Sequence, residues 1–270
     1  RTMPGGTHPV APSAIIADEN GAYVDPADPS TFDGSVPFEV PNELSSAAIE
    51  EQIDQFAGCA ERAKRAGFDL LELHAAHGYL IHGFLFEKSN LRDDKFGGDP
   101  IRRAAFPVSI VEAVRERCGE HWPVAIRLSQ FTSEDLNDLT WDTPEDLEIT
   151  VKQLVSAGVD IFHGSQHKLA KPGFDEMGPS FAETLKALSG KPTISVGGVT
   201  YTTAMFETLQ GIASRIEDPV NAAEAVRSQR IDLVAVGRSL IANPDWCEKV
   251  RSGRWAELQE FEKTNLEDLY

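Results

Sequence analysis

The chain has 270 residues, with 25 Lys plus Arg against 43 Asp plus Glu, and a formal net charge of −18. With 41% hydrophobic and 25% charged residues it can bury the core of one large domain or two ordinary ones, which excludes disordered and fibrous classes. Such a polyanion repels phosphate backbones and anionic membrane surfaces, and no apolar run nears the ~18 residues that cross a bilayer. Neither nucleic acid nor membrane is therefore expected as a partner. Cys59, Cys118 and Cys247 are far apart and form no Cys-x-x-Cys pair, so no disulfide framework or zinc cluster is suggested. Their scarcity favours a reducing, cytoplasmic compartment, with each thiol expected as a small buried apolar group on a helix.

Residues 1 to about 45 carry turn signals at Pro4-Gly5-Gly6, Asp25 to Pro29 and Asp33-Gly34, and read as an excursion with at most short hairpin strands. From Ser45, apolar Ala48, Ile49, Ile53, Phe56, Ala57, Ala60 and Ala63 recur at helical spacing until Gly67, and Phe68 to Leu73 follows as a short strand. The same unit then recurs. Helices are predicted over Ile101 to Arg117, Pro144 to Ala157 (capped by Thr143), Phe181 to Leu188 and Asn221 to Gln229. Each precedes a strand: Pro123 to Leu128, Val159 to His163, Pro192 to Val196 and Ile231 to Val236. A closing helix is expected from Pro244 to Val250.

Apolar strands alternating with amphipathic helices specify parallel βαβ units. Many of these strands end in Gly, Ser, His or Arg, as functional groups gather at the C-terminal ends of a TIM barrel's strands. The fold class is thus α/β, a TIM (β/α)8 barrel of which only strands 4 to 8 are evident. A doubly wound sheet is the alternative, but it lacks the Gly-x-Gly-x-x-Gly fingerprint.

His74-Ala75-Ala76-His77-Gly78-Tyr79-Leu80 follows the first clear strand. Two imidazoles and a phenol in one turn can converge on a ligand, the histidines donating to a carbonyl or anionic oxygen and the phenol donating a proton. The plainer alternative has one His satisfying a backbone carbonyl while the Tyr packs as an aromatic. Zinc would need a third ligand, and none is nearby in sequence, so no metal site is expected. Arg127, on an otherwise apolar strand, is costly to bury unless it meets an anion, an acceptor-rich ligand or one of the many carboxylates. Gly197-Gly198 and Gly237-Arg238 end two successive strands, at positions where barrels commonly hold phosphate; a lone Gly-Gly would be only a tight turn.

The stretch His74 to Gly98, with Phe84-Leu85, Ser89-Asn90, Arg92-Asp93-Asp94 and Phe96-Gly97-Gly98, followed by Arg103 and Phe106, closely resembles the old yellow enzyme family of FMN-dependent ene-reductases. Further ordered matches are Pro9 to Ser13, Arg127-Leu128-Ser129, Val196-Gly197-Gly198 and Gly237 to Pro244, so the resemblance covers nearly the whole chain. It implies a single FMN-binding barrel domain over residues 1–270, an excursion up to residue 45 and then βα units 4 to 8. It further implies an NADPH- or NADH-dependent reductase acting on small-molecule activated alkenes. By that resemblance His74 and His77 grip the substrate's carbonyl oxygen, Tyr79 protonates the α-carbon, Arg127 lies at the flavin's pyrimidine edge, and Gly197, Gly198, Gly237 and Arg238 hold the FMN phosphate. Nitro compounds or quinones are alternative acceptors, and a catalytically silent barrel remnant that binds another chain is the alternative from a different class.

The family pattern is not followed everywhere. Arg102-Arg103 stands for Asn-Arg, Ala105 for a following Arg and Gln130 for a Pro, while the loop Gln166 to Pro172 lacks the family's Arg-Phe-Trp. The family's first three strands have no counterpart before Arg1. Exposed strand edges would then call for a separate N-terminal segment, a second copy of the chain or a smaller closure, and the chain alone is expected to bind FMN weakly.

Overall fold

The computed structural model describes residues 8–17, 22–23, 36–133, 135, 137–203, 208 and 212–266. The three turn signals of the excursion lie outside these residues. Backbone contacts divide the chain into two compact units, one up to Asp160 and one from Ile161 onward.

In the first unit, β1 (Val10–Ala11) pairs in parallel with β4 (Asn42–Glu43), and β2 (Ala22–Tyr23) pairs antiparallel with β3 (Val36–Pro37). Helix α1 (Ser46–Arg65) starts where the Ser45 side chain accepts the Ala48 N–H and buries Ile49, Ile53, Ala57 and Ala60. Strand β5 (Leu71–His77) pairs in parallel with β6 (Val124–Thr132), in register from Leu71↔Val124 to Ala75↔Leu128. Strand β5 thus begins later than Phe68. The Phe68 N–H still bonds to the Ala63 carbonyl, and its own carbonyl accepts the Trp122 indole N–H, so Phe68 belongs to the helix exit.

The helix predicted over Ile101 to Arg117 is two helices, α3 (Pro100–Arg103), capped by Asp99, and α4 (Ala105–Cys118). Between β5 and these, α2 (Leu80–Leu85) carries buried Phe84, which with Phe96 and Phe106 forms an aromatic cluster. Buried Arg103 ties the intervening loop down by donating to the carbonyls of Leu85 and Gly98 and to Glu87. Anchoring therefore survives the departures at Arg102 and Ala105. After β6, α5 (Pro144–Ala157) has the predicted bounds and the Thr143 cap.

Arg92 fixes the excursion. Its guanidinium donates to the carbonyls of Pro12 (2.9 Å) and Leu44 (2.6 Å) and pairs with Asp94 at 2.6 Å, while the Leu91 N–H bonds to Ser13 Oγ. The Arg92 side chain is 7% exposed and that of Asp94 29%, so the pair is partly withdrawn from water, the arginine more than its partner. Bonding to Arg92 holds the Asp94 carboxyl below the usual range. A depressed folded-state pKa gives stability that is full above the unfolded carboxylate range and lost as pH falls through the lowered value. Asp94→Asn should therefore cost about 2 kcal/mol in urea unfolding at neutral pH, with the gap from wild type closing as the pH is lowered below about 4.

In the second unit, β7 (Ile161–Ser165), β8 (Thr193–Val196) and β9 (Leu233–Ala235) pair in parallel in that order. Helix α6 (Phe181–Ser189) carries a full capping box between Ser180 and Glu183. Helix α7 (Val220–Arg227) precedes β9, and α8 (Arg238–Ala242) and α9 (Trp246–Arg251) follow it. The closing helix thus begins at Trp246, with the Trp246 N–H bonding to the Asn243 carbonyl. Among the three helical cysteines only Cys118 is buried. Cys59 and Cys247 lie on solvent-facing sides of α1 and α9, contrary to the expectation that all three would be interior. Among the described residues no helix is long and apolar enough to cross a membrane.

Candidate active site

Strand β5 ends in a backbone reversal that gathers the site. His77 and Gly78 both adopt left-handed backbone, at φ 63° and 82°. That conformation is uncommon for a side-chain-bearing residue and must be held by its surroundings. Here the His77 N–H bonds to Ser129 Oγ at 2.9 Å, the His77 carbonyl accepts from Ser133, and the Gly78 N–H bonds to His82 Nδ1 at 2.6 Å. The β5–β6 register shifts at this point, His77 pairing with Thr132.

The reversal brings the three predicted rings together. The centroids of His74 and His77 are 5.3 Å apart at 86°, and those of His74 and Tyr79 are 5.0 Å apart at 55°. His77 stacks on Phe131 at 5.2 Å and 22°, which fixes its plane. His74 and Tyr79 are exposed and His77 is half-buried, so the cluster meets solvent from a supported base.

Arg127 joins this cluster. It is the register partner of His74 on the paired strands, and side chains in register share a face. Glu72, two residues before His74, lies on that same face by strand alternation. Burial lowers the Arg127 pKa, while Glu72 acts to raise it. The carboxylate that an apolar-strand arginine needs is therefore on hand, and the cation remains beside the histidines.

In the second unit, Gly197 and Gly198 follow β8 and Gly237 and Arg238 follow β9, at the ends of adjacent paired strands. Gly197 is required by the chain itself, since a Cβ there would meet the Gln166 carbonyl oxygen at 2.1 Å. The backbone after β7 thus explains the glycine here, whatever the strand end also holds. A Cβ at Gly237, by contrast, would meet no atom within 4 Å. The Arg238 guanidinium donates to the Thr203 carbonyl at 2.8 Å and to the Thr208 hydroxyl, and lies 5.3 Å over the Tyr201 ring.

Three supporting residues escape a reading by motif. Ser129, Phe131 and His82 touch the reversal directly; Ser129 and His82 fall within matched segments that gave them no role, and Phe131 falls outside them. Gln130, in place of the family's Pro, clamps the Trp141 backbone through both ends of its amide, at 3.1 Å each. Among the described residues no group of three or more His, Cys, Asp or Glu is placed to hold a metal ion.

Residues 9–257 match the NADH:flavin oxidoreductase / NADH oxidase family. The chain belongs to that family. It is 34% identical to the NADH oxidase of Thermoanaerobacter brockii, over 98% of this chain and 37% of the relative. It is 33% identical to an NADPH dehydrogenase of Clostridium acetobutylicum, over 87% of this chain and 59% of the relative. Among solved structures, that of morphinone reductase in complex with tetrahydroNAD superposes with a TM-score of 0.73 and 30% identity, covering 97% of this chain and 64% of that one. The chain thus spans between about a third and two thirds of the length of these proteins. Its fold class is the α/β, parallel-stranded type of this barrel-forming enzyme family.

Proposed function

We propose that the chain forms part of an FMN-dependent oxidoreductase that reduces the C=C bond of α,β-unsaturated carbonyl compounds. The observation that carries this reading is the ring cluster of His74, His77 and Tyr79 on the β5 reversal, beside Arg127. When bound, FMN supplies the hydride that reaches the substrate's β-carbon, and NADPH or NADH replenishes it. His74 and His77 donate hydrogen bonds to the carbonyl oxygen, and these strengthen as negative charge develops there, so they lower the barrier rather than merely bind. Tyr79 gives its phenolic proton to the α-carbon. Phe131 and Ser129 keep the His77 ring and backbone in place before substrate arrives.

Each unit, taken by itself, offers groups suited to one part of a flavin. Arg127 places a desolvated cation on the face that carries His74, suited to the electron-rich pyrimidine edge, and Gly237 leaves open space at a strand end for a phosphate beside Arg238. Nitro compounds and quinones present similar oxygens to the same histidines, so the acceptor class is a finer choice within this reading. A silent remnant that only binds another chain is the contrasting reading, and bound-flavin absorbance separates the two.

Arg238→Ala tests the phosphate assignment. Retention of FMN should fall about tenfold or more while riboflavin binding changes little, because only FMN carries the anion that a guanidinium grips. Equal losses for both ligands, measured by fluorescence titration, would make Arg238 a strut for Tyr201, Thr203 and Thr208 alone.

A further inference from the structure

His82 lies outside the ring cluster, yet it determines the backbone that presents it. The imidazole is fully buried and stacks on Phe86 at 5.9 Å and 4°. A backbone N–H can only donate, so the Gly78 contact at 2.6 Å makes Nδ1 the acceptor and puts the ring proton on Nε2. That proton faces Thr140 Oγ1 at 2.6 Å, and the Thr140 hydroxyl turns on to the carbonyls of Ser129 (3.2 Å) and Gln130 (3.0 Å). The Gly78 N–H, both His82 ring nitrogens and the Thr140 hydroxyl thereby each meet a partner of the opposite kind. The chain runs from the left-handed turn to the same β6 segment whose Ser129 hydroxyl takes the His77 N–H. Consecutive amides of the reversal are thus held by two side chains that both lead back to β6.

We propose that His82, as a neutral imidazole protonated on Nε2, is the positioning residue that locks the His77–Gly78 reversal and so sets the mutual angles of His74, His77 and Tyr79. The proposal rests on the reading of that cluster as the substrate-binding group. Were His82 charged, Nδ1–H and the Gly78 N–H would face each other at 2.6 Å and the turn would lose its anchor. Burial, and after it nearby His74, pushes the imidazole down to about 3, so the lock holds throughout the neutral range. Left-handed backbone at His77 is the state that needs such support, since a side-chain-bearing residue leaves it readily once its hydrogen bonds are gone.

The test combines two variants with a spectroscopic signature, using FMN-loaded protein and a phenol as the probe ligand. His82→Phe keeps the ring and removes the acceptor, while His82→Asn restores an acceptor near the Nδ1 position. In His82→Phe the Gly78 amide should exchange about tenfold faster and phenol affinity should drop about tenfold, with FMN retention unchanged. His82→Asn should recover most of both losses. Unchanged Gly78 exchange, or FMN retention falling as far as phenol affinity, would overturn the positioning role. The wild-type protein provides a check that does not depend on a variant folding: nitrogen NMR should show His82 with a bare Nδ1 and a protonated Nε2 from about pH 5 to 8. The opposite tautomer, or titration within that range, contradicts the proposal. Failure of the wild-type protein to bind phenol would count against the proposed function, while Gly78 exchange and the His82 tautomer still decide whether the lock exists.

Discussion

Tyr79→Phe should slow reoxidation of the nicotinamide-reduced enzyme by an enone ~100-fold or more, while reduction by NADPH or NADH proceeds at nearly the parent rate. The substitution removes one hydroxyl and almost no volume, and Tyr79 is 59% exposed, so packing loss contributes little. Its ring lies 5.0 Å from that of His74, which places the phenol beside the group assigned to the carbonyl oxygen. An acid so placed is suited to the carbon next to that carbonyl. Rapid mixing separates the two half-reactions, and a variant that reduces enones at the parent rate would assign Tyr79 to the surface.

The double change of His74 and His77 to alanine should remove measurable phenol binding and depress enone reduction by several hundredfold, with flavin still retained. Each hydrogen bond to a charged or developing anionic oxygen contributes about 1.5 to 3 kcal/mol, so losing two corresponds to roughly 3 kcal/mol or more. The His77 backbone is held by Ser129, Ser133 and, through Gly78, by His82, so truncation of the rings leaves the turn's own bonds in place. Equilibrium titration with a phenol checks this expectation; parent affinity in the double variant would separate the histidines from ligand binding. Single variants should show less than half of the combined effect if the rings act on one oxygen as a pair.

How far the sequence could be read depended on how local each signal was. The Thr143-Pro144 start and the apolar spacing of α5 are local, and the helix has the predicted bounds. The start of β5 was misplaced because Phe68, apolar and followed by Leu70, is bound to the end of α1 and to Trp122, and both residues are exposed. Residue types and spacing sufficed to bring His74, His77 and Tyr79 to one strand end, since all lie within six residues. Their supports were hidden: Ser129 is 52 positions from His77, and Thr140 is 58 from His82, so only the β5–β6 register brings them near. The same is true of Gly197, whose missing side chain answers to the backbone at Gln166, a contact that only the β7–β8 pairing creates. Arg92 looked like one element of a loop motif, yet its partners Pro12 and Leu44 lie 80 and 48 residues away.

The central claim is that the β5 reversal presents an oxygen-gripping pair and an acid to an activated alkene. It is tested most directly by anaerobic reduction of the FMN-loaded protein with NADPH or NADH, followed by addition of a cyclic enone or its saturated ketone. Flavin absorbance should bleach with the nicotinamide, return with the enone and stay bleached with the saturated ketone, with the enone recovered as the saturated product. With FMN supplied in excess, a reduced flavin that the enone leaves bleached would contradict the account.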